Sequence, residues 1–163
     1  MAEEIKTPVS IEINGSCVRA TIEPRMLLVE FIREIAGLTG THVGCDTSYC
    51  GACTVLINGR AVRACTLLAA QADGTKLTTV EGLEQNGVLH PLQTAFARHH
   101  ALQCGFCTPG FLMSAAHLLA ENSDPDEKAI RKGLAGNICR CTGYINIIAA
   151  VKDASEELKR AAR

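Results

Sequence analysis

The chain has 163 residues, 47% apolar and 20% charged, which suits one globular domain or two small ones with a packed core. Its 16 basic and 17 acidic residues leave a net charge of −1, so bulk charge draws it neither to nucleic acid nor to a membrane surface. Tryptophan is absent, which leaves little material for stacking on bases.

No run is apolar for long enough to cross a bilayer. Met1-Ala2-Glu3-Glu4 is acidic and lacks the apolar core of a secretion signal. The expected compartment is the reducing cytoplasm, where clustered cysteines signal metal binding or catalysis more often than disulfides.

In chain order, residues 9–14 alternate, with Ile11 and Ile13 on one face and Ser10 and Glu12 on the other. Asn14-Gly15 follows, and then Val18, Ala20 and Ile22 alternate against Arg19, Thr21 and Glu23. Two alternating runs around Asn-Gly predict a β-hairpin. Cys17 falls on the polar parity of the second run and reads as a bystander thiol.

From Met26 to Ala36, the apolar residues Leu27, Leu28, Phe31, Ile32 and Ile35 form a helical stripe that stops near Gly37. Thr54–Ile57, Asn58-Gly59 and Ala61–Cys65 predict a second hairpin, and 77–80 one more strand. Strands flanking one helix make a small α+β unit.

Between that helix and the second hairpin lies Gly44-Cys45-Asp46-Thr47-Ser48-Tyr49-Cys50-Gly51-Ala52-Cys53, with Cys65 following after eleven intervening residues. C-x4-C-x2-C with a distant fourth cysteine is the plant-type spacing for a [2Fe–2S] cluster. The small residues Gly44, Gly51 and Ala52 let the loop bring its amides close to sulfur. Disulfides would need an oxidising compartment, and zinc takes paired C-x2-C knuckles rather than three cysteines within nine residues.

The second half changes character. Helical stretches are expected at 91–100, 109–121, 125–135 and 144–162, the third opened by Ser123-Asp124-Pro125. Cys104-Gly105-Phe106-Cys107 and Cys139-Arg140-Cys141 form a second quartet at the ends of these helices. Alone it supports only a four-thiolate metal site. Beside the first quartet, a second iron–sulfur cluster is the simplest account, and helix N-termini favour an anionic group there. The expected fold class is therefore α+β, with a boundary near 81–90 that separates residues 1–82 from 83–163.

Four histidines complete the inventory of candidates. His42 is expected to hydrogen-bond the first loop, His99 and His100 to be a solvated pair, and His117 to lie on a helix surface or interface. There is no G-x-G-x-x-G, P-loop or G-x-S-x-G pattern, so the visible chemistry is electron storage and transfer.

Gly44-Cys45-Asp46, Cys50-Gly51-Ala52-Cys53-Thr54, Gln103-Cys104-Gly105-Phe106-Cys107-Thr108-Pro109-Gly110 and Gly136-Asn137-Ile138-Cys139-Arg140-Cys141-Thr142-Gly143-Tyr144 together resemble the iron–sulfur subunit of the molybdenum hydroxylases, the xanthine oxidase and aerobic carbon monoxide dehydrogenase type. The resemblance covers essentially the whole chain. It implies an N-terminal ferredoxin-like β-grasp domain followed by a C-terminal four-helix bundle.

It also implies roles. Cys45, Cys50, Cys53 and Cys65 match the ligands of a [2Fe–2S] cluster near FAD. Cys104, Cys107, Cys139 and Cys141 match those of a [2Fe–2S] cluster near the molybdenum–pterin cofactor. Gln103 matches a residue that hydrogen-bonds the pterin, and Cys141 the ligand closest to it. Electrons would pass from molybdenum through both clusters to FAD. The partners implied are a large molybdenum-binding subunit and a medium FAD-binding subunit, in a dimer of heterotrimers. Two other readings remain at this point: a free-standing ferredoxin-type carrier and a zinc-stabilised adaptor.

Overall fold

The structure is a computed structural model that describes residues 5–161. Met1–Glu4 and the end of the last expected helix lie outside those residues. Strands β1 (Thr7–Ile13) and β2 (Ser16–Ile22) pair antiparallel around Asn14 (φ 50°) and Gly15 (φ 82°), a turn with two left-handed residues of the kind that matches strand twist. Val9, Ile11, Ile13 and Ile22 are buried, and Cys17 is exposed on the opposite face. The expected parity holds.

Helix α1 begins at Leu28–Glu30 and continues as a π-helical segment, Phe31–Ile35. The Glu30 carboxylate accepts from the Leu27 amide at 2.8 Å, capping the first turn. Phe31 and Ile32 are fully buried, but Ile35 is 43% exposed. The Ala36 amide donates to the Phe31 carbonyl, five residues back (2.9 Å), and this widened turn swings Ile35 out of the apolar stripe.

Strands β3 (Thr54–Ile57), β4 (Arg60–Arg63) and β5 (Lys76–Thr78) complete a mixed sheet in the order β2-β1-β5-β3-β4, in which only β1 and β5 run parallel. Two strand ends differ from expectation. β4 stops at Arg63, and Cys65 sits on a 3-10 turn, Ala64–Thr66. After β5, residues Val80–Leu83 form another 3-10 turn.

Helices α2 (Pro91–Arg98), α3 (Thr108–Glu121), α4 (Glu127–Gly133) and α5 (Ile145–Ala161) follow. Helix α4 starts two residues later than the sequence suggested. Its cap is Asp126, whose carboxylate accepts from the Ala129 amide (2.7 Å), while Asp124 turns to Lys159 Nζ (2.6 Å). One apolar cluster lies under α1 and the sheet, centred on Ile11, Phe31, Ile32 and Val55. A second joins α2–α5 through Phe96, Phe111, Met113, Ile130 and Ile147. Full burial of each such side chain contributes about 1.5–3 kcal/mol. Among the described residues no helix is long and apolar enough to cross a membrane.

Candidate metal centres

The loop from α1 to β3 brings the first quartet together. Cys53 is buried at the start of β3, and Cys45, Cys50 and Cys65 are half-buried. The Cys50 amide donates to Cys45 Sγ at 3.4 Å. That amide and the amide of Thr47 lower the Cys45 thiol to about 6. Burial pushes Cys65 up to about 12, reinforced by the adjoining Cys53 thiol and by the charges of Cys53, Cys45 and Cys50. All four sulfurs therefore share one pocket. A Cβ on Gly44 would lie 3.2 Å from Cys50 Sγ and 3.3 Å from the Phe106 ring, so the loop packs tightly there around glycine.

The second quartet is assembled from two segments. Gly105 (φ 83°) turns the chain so that Cys107 ends up as the residue preceding the first turn of α3. Cys139 and Cys141 lie between α4 and α5. Cys141 Sγ is 3.6 Å from Cys104 Sγ. Burial pushes Cys107 up to about 12, with the neighbouring Cys139 thiol adding to the shift. Burial also acts against the Cys139 thiolate, but the hydroxyl and amide of Thr142 (3.1 and 3.4 Å) and the Cys141 amide outweigh it and lower that thiol. The Cys139 amide donates to the Tyr144 hydroxyl (3.0 Å), which fixes the turn into α5.

The thiols thus come together as pairs: Cys45 with Cys50, Cys53 with Cys65, Cys104 with Cys141, and Cys107 with Cys139. Among the described residues, no three His, Cys, Asp or Glu side chains converge on a single metal-ion position. Two thiolate pairs per site, with amides and a hydroxyl aimed at the sulfurs, fit a two-iron core bound by four cysteines.

The two loops interlock. The Gly51 carbonyl accepts from Thr54 Oγ1 (2.6 Å) and from Asn137 Nδ2 (3.0 Å), and Asn137 Oδ1 accepts from Ser114 Oγ (2.7 Å). Arg63 spans from Thr54 Oγ1 to the Gly136 carbonyl (2.6 and 2.5 Å). The Cys50 carbonyl accepts from the Ile138 amide at 2.9 Å, next to Cys139. A Cβ on Gly110 would overlap the Gly51 carbonyl. Sequence reasoning gave no role to Asn137, Arg63, Ser114 or Thr142. Asn137 had one readable signal, a polar residue beside a ligand segment that needs a partner if buried.

Two models of iron–sulfur families match the chain. One, described as a 2Fe-2S iron-sulfur cluster binding domain, covers residues 12–96, and the other, a [2Fe-2S] binding domain, covers residues 79–152. The chain is 48% identical over 153 residues to the nicotine 6-hydroxylase small subunit of Paenarthrobacter nicotinovorans, covering 94% of this chain and 92% of that one. It is 47% identical over 150 residues to caffeine dehydrogenase subunit gamma of Pseudomonas sp. (strain CBB1), with 90% of each chain covered. The chain belongs to the small iron–sulfur subunits of the molybdenum hydroxylase family.

The fold of this family recurs in the crystal structure of quinoline 2-oxidoreductase from Pseudomonas putida 86, with a TM-score of 0.91, 48% identity and coverage of 95% and 97% of the two chains. It recurs inside the longer aldehyde oxidoreductase of Desulfovibrio gigas, of which this chain matches 17% at a TM-score of 0.90 and 41% identity. A molybdenum hydroxylase small subunit is a non-catalytic part of a multi-subunit oxidoreductase, and the [2Fe–2S], electron-transfer assignment of the sequence stands.

The remaining sequence candidates are placed as follows. His42 is expected from the sequence to bond the first loop, but its Nδ1 donates to the Phe106 carbonyl (2.8 Å) and its ring stacks on Phe106 at 4.7 Å, so it ties the start of the first loop to the second quartet instead. His117 Nδ1 donates to the Gly59 carbonyl (3.1 Å), joining α3 to the β3–β4 turn. His99 is not a solvated residue: its Nε2 lies 2.9 Å from Asp153 Oδ2, which also takes Arg98 Nη1 at 2.7 Å, so α2 is pinned to α5. His100 is exposed. Gln103 is also exposed and has no hydrogen-bond partner among the described residues, so its amide caps nothing on this chain.

Proposed function

We propose that this chain relays electrons between two partner subunits, from a molybdenum–pterin centre on a large subunit to FAD on a medium subunit. Cys45, Cys50, Cys53 and Cys65 hold one [2Fe–2S] cluster, and Cys104, Cys107, Cys139 and Cys141 hold the other. When bound, the clusters supply one-electron carriers; the protein supplies their ligands, their hydrogen bonds and the fixed spacing between them. The observation that carries this reading is the interlock of two paired-thiol quartets through Gly51, Asn137 and Arg63. A free ferredoxin-type carrier would need only the first quartet, and a single zinc ion would draw four thiols to one point rather than into pairs.

Exposure supports an orientation for the relay. Cys104, Cys141 and Gln103 are exposed on one segment pair, beside Leu102 (39% exposed) and Ile138 (52%). That is the face proposed for the large subunit, with Gln103 hydrogen-bonded to the pterin and Cys141 the ligand nearest to it. Tyr49, 78% exposed on the first loop, marks the face proposed for the FAD subunit. The two separate apolar clusters support domains at 1–82 and 83–163, a β-grasp unit followed by a four-helix bundle. The assembly proposed is a dimer of heterotrimers in the cytoplasm, where reduced thiols remain free for iron.

Metal analysis and EPR of the purified complex test the relay. About four irons per chain and two distinct reduced [2Fe–2S] signals are expected; iron for one cluster with a single signal overturns it. Gln103→Leu tests the docking face. Both clusters should assemble, while cluster reduction by substrate slows or the large subunit is lost on gel filtration, at a cost of about 1–3 kcal/mol for the pterin group left unpaired.

A further inference from the structure

At four places in this chain a cysteine is followed directly by threonine: Cys53-Thr54, Cys65-Thr66, Cys107-Thr108 and Cys141-Thr142. Three of these hydroxyls find an acceptor three residues back. Thr54 donates to the Gly51 carbonyl at 2.6 Å, Thr66 to the Arg63 carbonyl at 3.2 Å, and Thr142 to Cys139 Sγ at 3.1 Å. The fourth does not. Thr108 Oγ1 is buried, and among the described residues it is the one buried side-chain nitrogen or oxygen with no hydrogen-bond partner.

An unmatched buried hydroxyl is costly, and in native proteins it usually marks a missing acceptor. The acceptor that the pattern would offer is the Gly105 carbonyl, which takes the Thr108 amide at 3.1 Å but not the hydroxyl, whereas the Gly51 carbonyl takes both from Thr54. Thr108 is the first residue of α3, and the residue before it is Cys107, one of the second quartet. The iron–sulfur core that Cys107 is proposed to bind would lie next to this residue. In the same quartet, Thr142 already shows a threonine hydroxyl directed at a ligand sulfur.

We infer that the Thr108 hydroxyl donates a hydrogen bond to sulfur of the second [2Fe–2S] cluster and so raises that cluster's reduction potential. The inference rests on the ligand assignment proposed above. Reduction adds negative charge to the core, so a hydroxyl donor stabilises the reduced form more than the oxidised form. Thr108 is a tuning residue: it moves no proton and touches no substrate.

The test is an EPR-monitored redox titration of the intact complex, with the first cluster as internal reference. Wild type must first show both signals; if it shows one, the ligand assignment fails before Thr108 is in question. With both present, Thr108→Val and Thr108→Ala should lower the second cluster's midpoint by about 59 mV, a tenfold change in a one-electron equilibrium. The first cluster should not move, and Thr108→Ser should return the second toward wild type. Should Val and Ala lose the second cluster while Ser keeps it, the hydroxyl is again what the site requires. Unchanged midpoints in Val and Ala would mean that a buried water satisfies the hydroxyl, and the inference falls. It falls equally if both clusters shift together, or if Ser loses the second cluster along with the others.

Discussion

The two quartets reach similar chemistry by different routes. The first is one short loop closed by a turn, and its sulfurs are served by backbone amides: those of Cys50 and Thr47 lower Cys45 to about 6. The second joins segments separated by thirty-one residues, and burial there is offset by a side chain as well as amides, the Thr142 hydroxyl acting on Cys139 beside the amides of Thr142 and Cys141. Each quartet also contains one thiol pushed up to about 12, Cys65 in the first and Cys107 in the second. Amide donors ask of the sequence only small residues that can turn, so a contiguous site is written in its spacing. A split site depends on whatever holds its halves together. Here that includes the other site, because Gly51 in the first loop accepts from Asn137 beside the second.

The largest expected effect separates the two. Cys50→Ala removes a thiolate from the first quartet but keeps the backbone carbonyl that accepts from the Ile138 amide. Iron should fall from about four to about two per chain, with loss of the first EPR signal and persistence of the second. The β half should also lose stability, because ligation is coupled to folding. If both signals vanish while α2–α5 remain folded by circular dichroism, the quartets assemble only as a unit.

The interlock itself is tested by Gly51→Ala. Gly51 has φ 72°, and an added Cβ would overlap the Gly136 carbonyl and approach Asn137 Nδ2 to 2.7 Å. Backbone strain and overpacking together should cost about 2–4 kcal/mol in denaturant unfolding. Asn137→Ala should follow at about 1–3 kcal/mol, because it strips the Ser114 hydroxyl of its acceptor. Independent sites would confine each loss to one half of the protein, whereas the interlock predicts a single shifted transition reported by probes in both halves.

How much could be read in advance follows the same division. Both hairpins, the helix order and the gathering of the cysteines into two groups were legible, because Asn-Gly turns, strand parity and short cysteine spacings are local signals. The residues that join the halves were not: Asn137 meets Gly51 across 86 positions, and no local rule pairs them. Ends of elements went astray where a side chain chose a tertiary partner. Asp124 left the helix cap for Lys159, and Asp126 replaced it. Ile35 left its stripe because α1 widens into a π turn, which periodicity counted at 3.6 residues does not anticipate.

Acid should tell the halves apart more gently. The two carboxylates held below their usual range, Asp124 and Asp153, both serve the helical half. For Asp153 the largest cause is the hydrogen bond from His99; burial opposes it, and Arg98 adds to the lowering. A depressed folded pKa stabilises the fold above the unfolded carboxylate pKa, and that contribution is lost as pH falls through the folded value. Asp153→Asn should therefore cost about 0.5–1 kcal/mol at neutral pH, the pair being partly open to solvent, and almost nothing in strong acid. Thermal melts against pH should show the variant and wild type converging on acidification; a gap that stays constant with pH would mean the Asp153 charge is not what braces α2 to α5.

The smallest effect belongs to the ninth cysteine, and it offers a count of the other eight. Cys17 is exposed on β2, with its sulfur 3.3 Å from Ser10 Oγ and outside both quartets. Cys17→Ser should change stability by no more than about 0.5 kcal/mol and leave iron content unchanged. A thiol bound to iron is spent as a nucleophile, and the proposed ligands Cys104 and Cys141 are exposed. With both clusters in place, a thiol reagent should therefore label one cysteine per wild-type chain and none in Cys17→Ser. Label appearing at Cys104 or Cys141 in iron-replete protein would show the second quartet to be incomplete. Iron lost with Cys17 would show that strand parity had hidden a ligand.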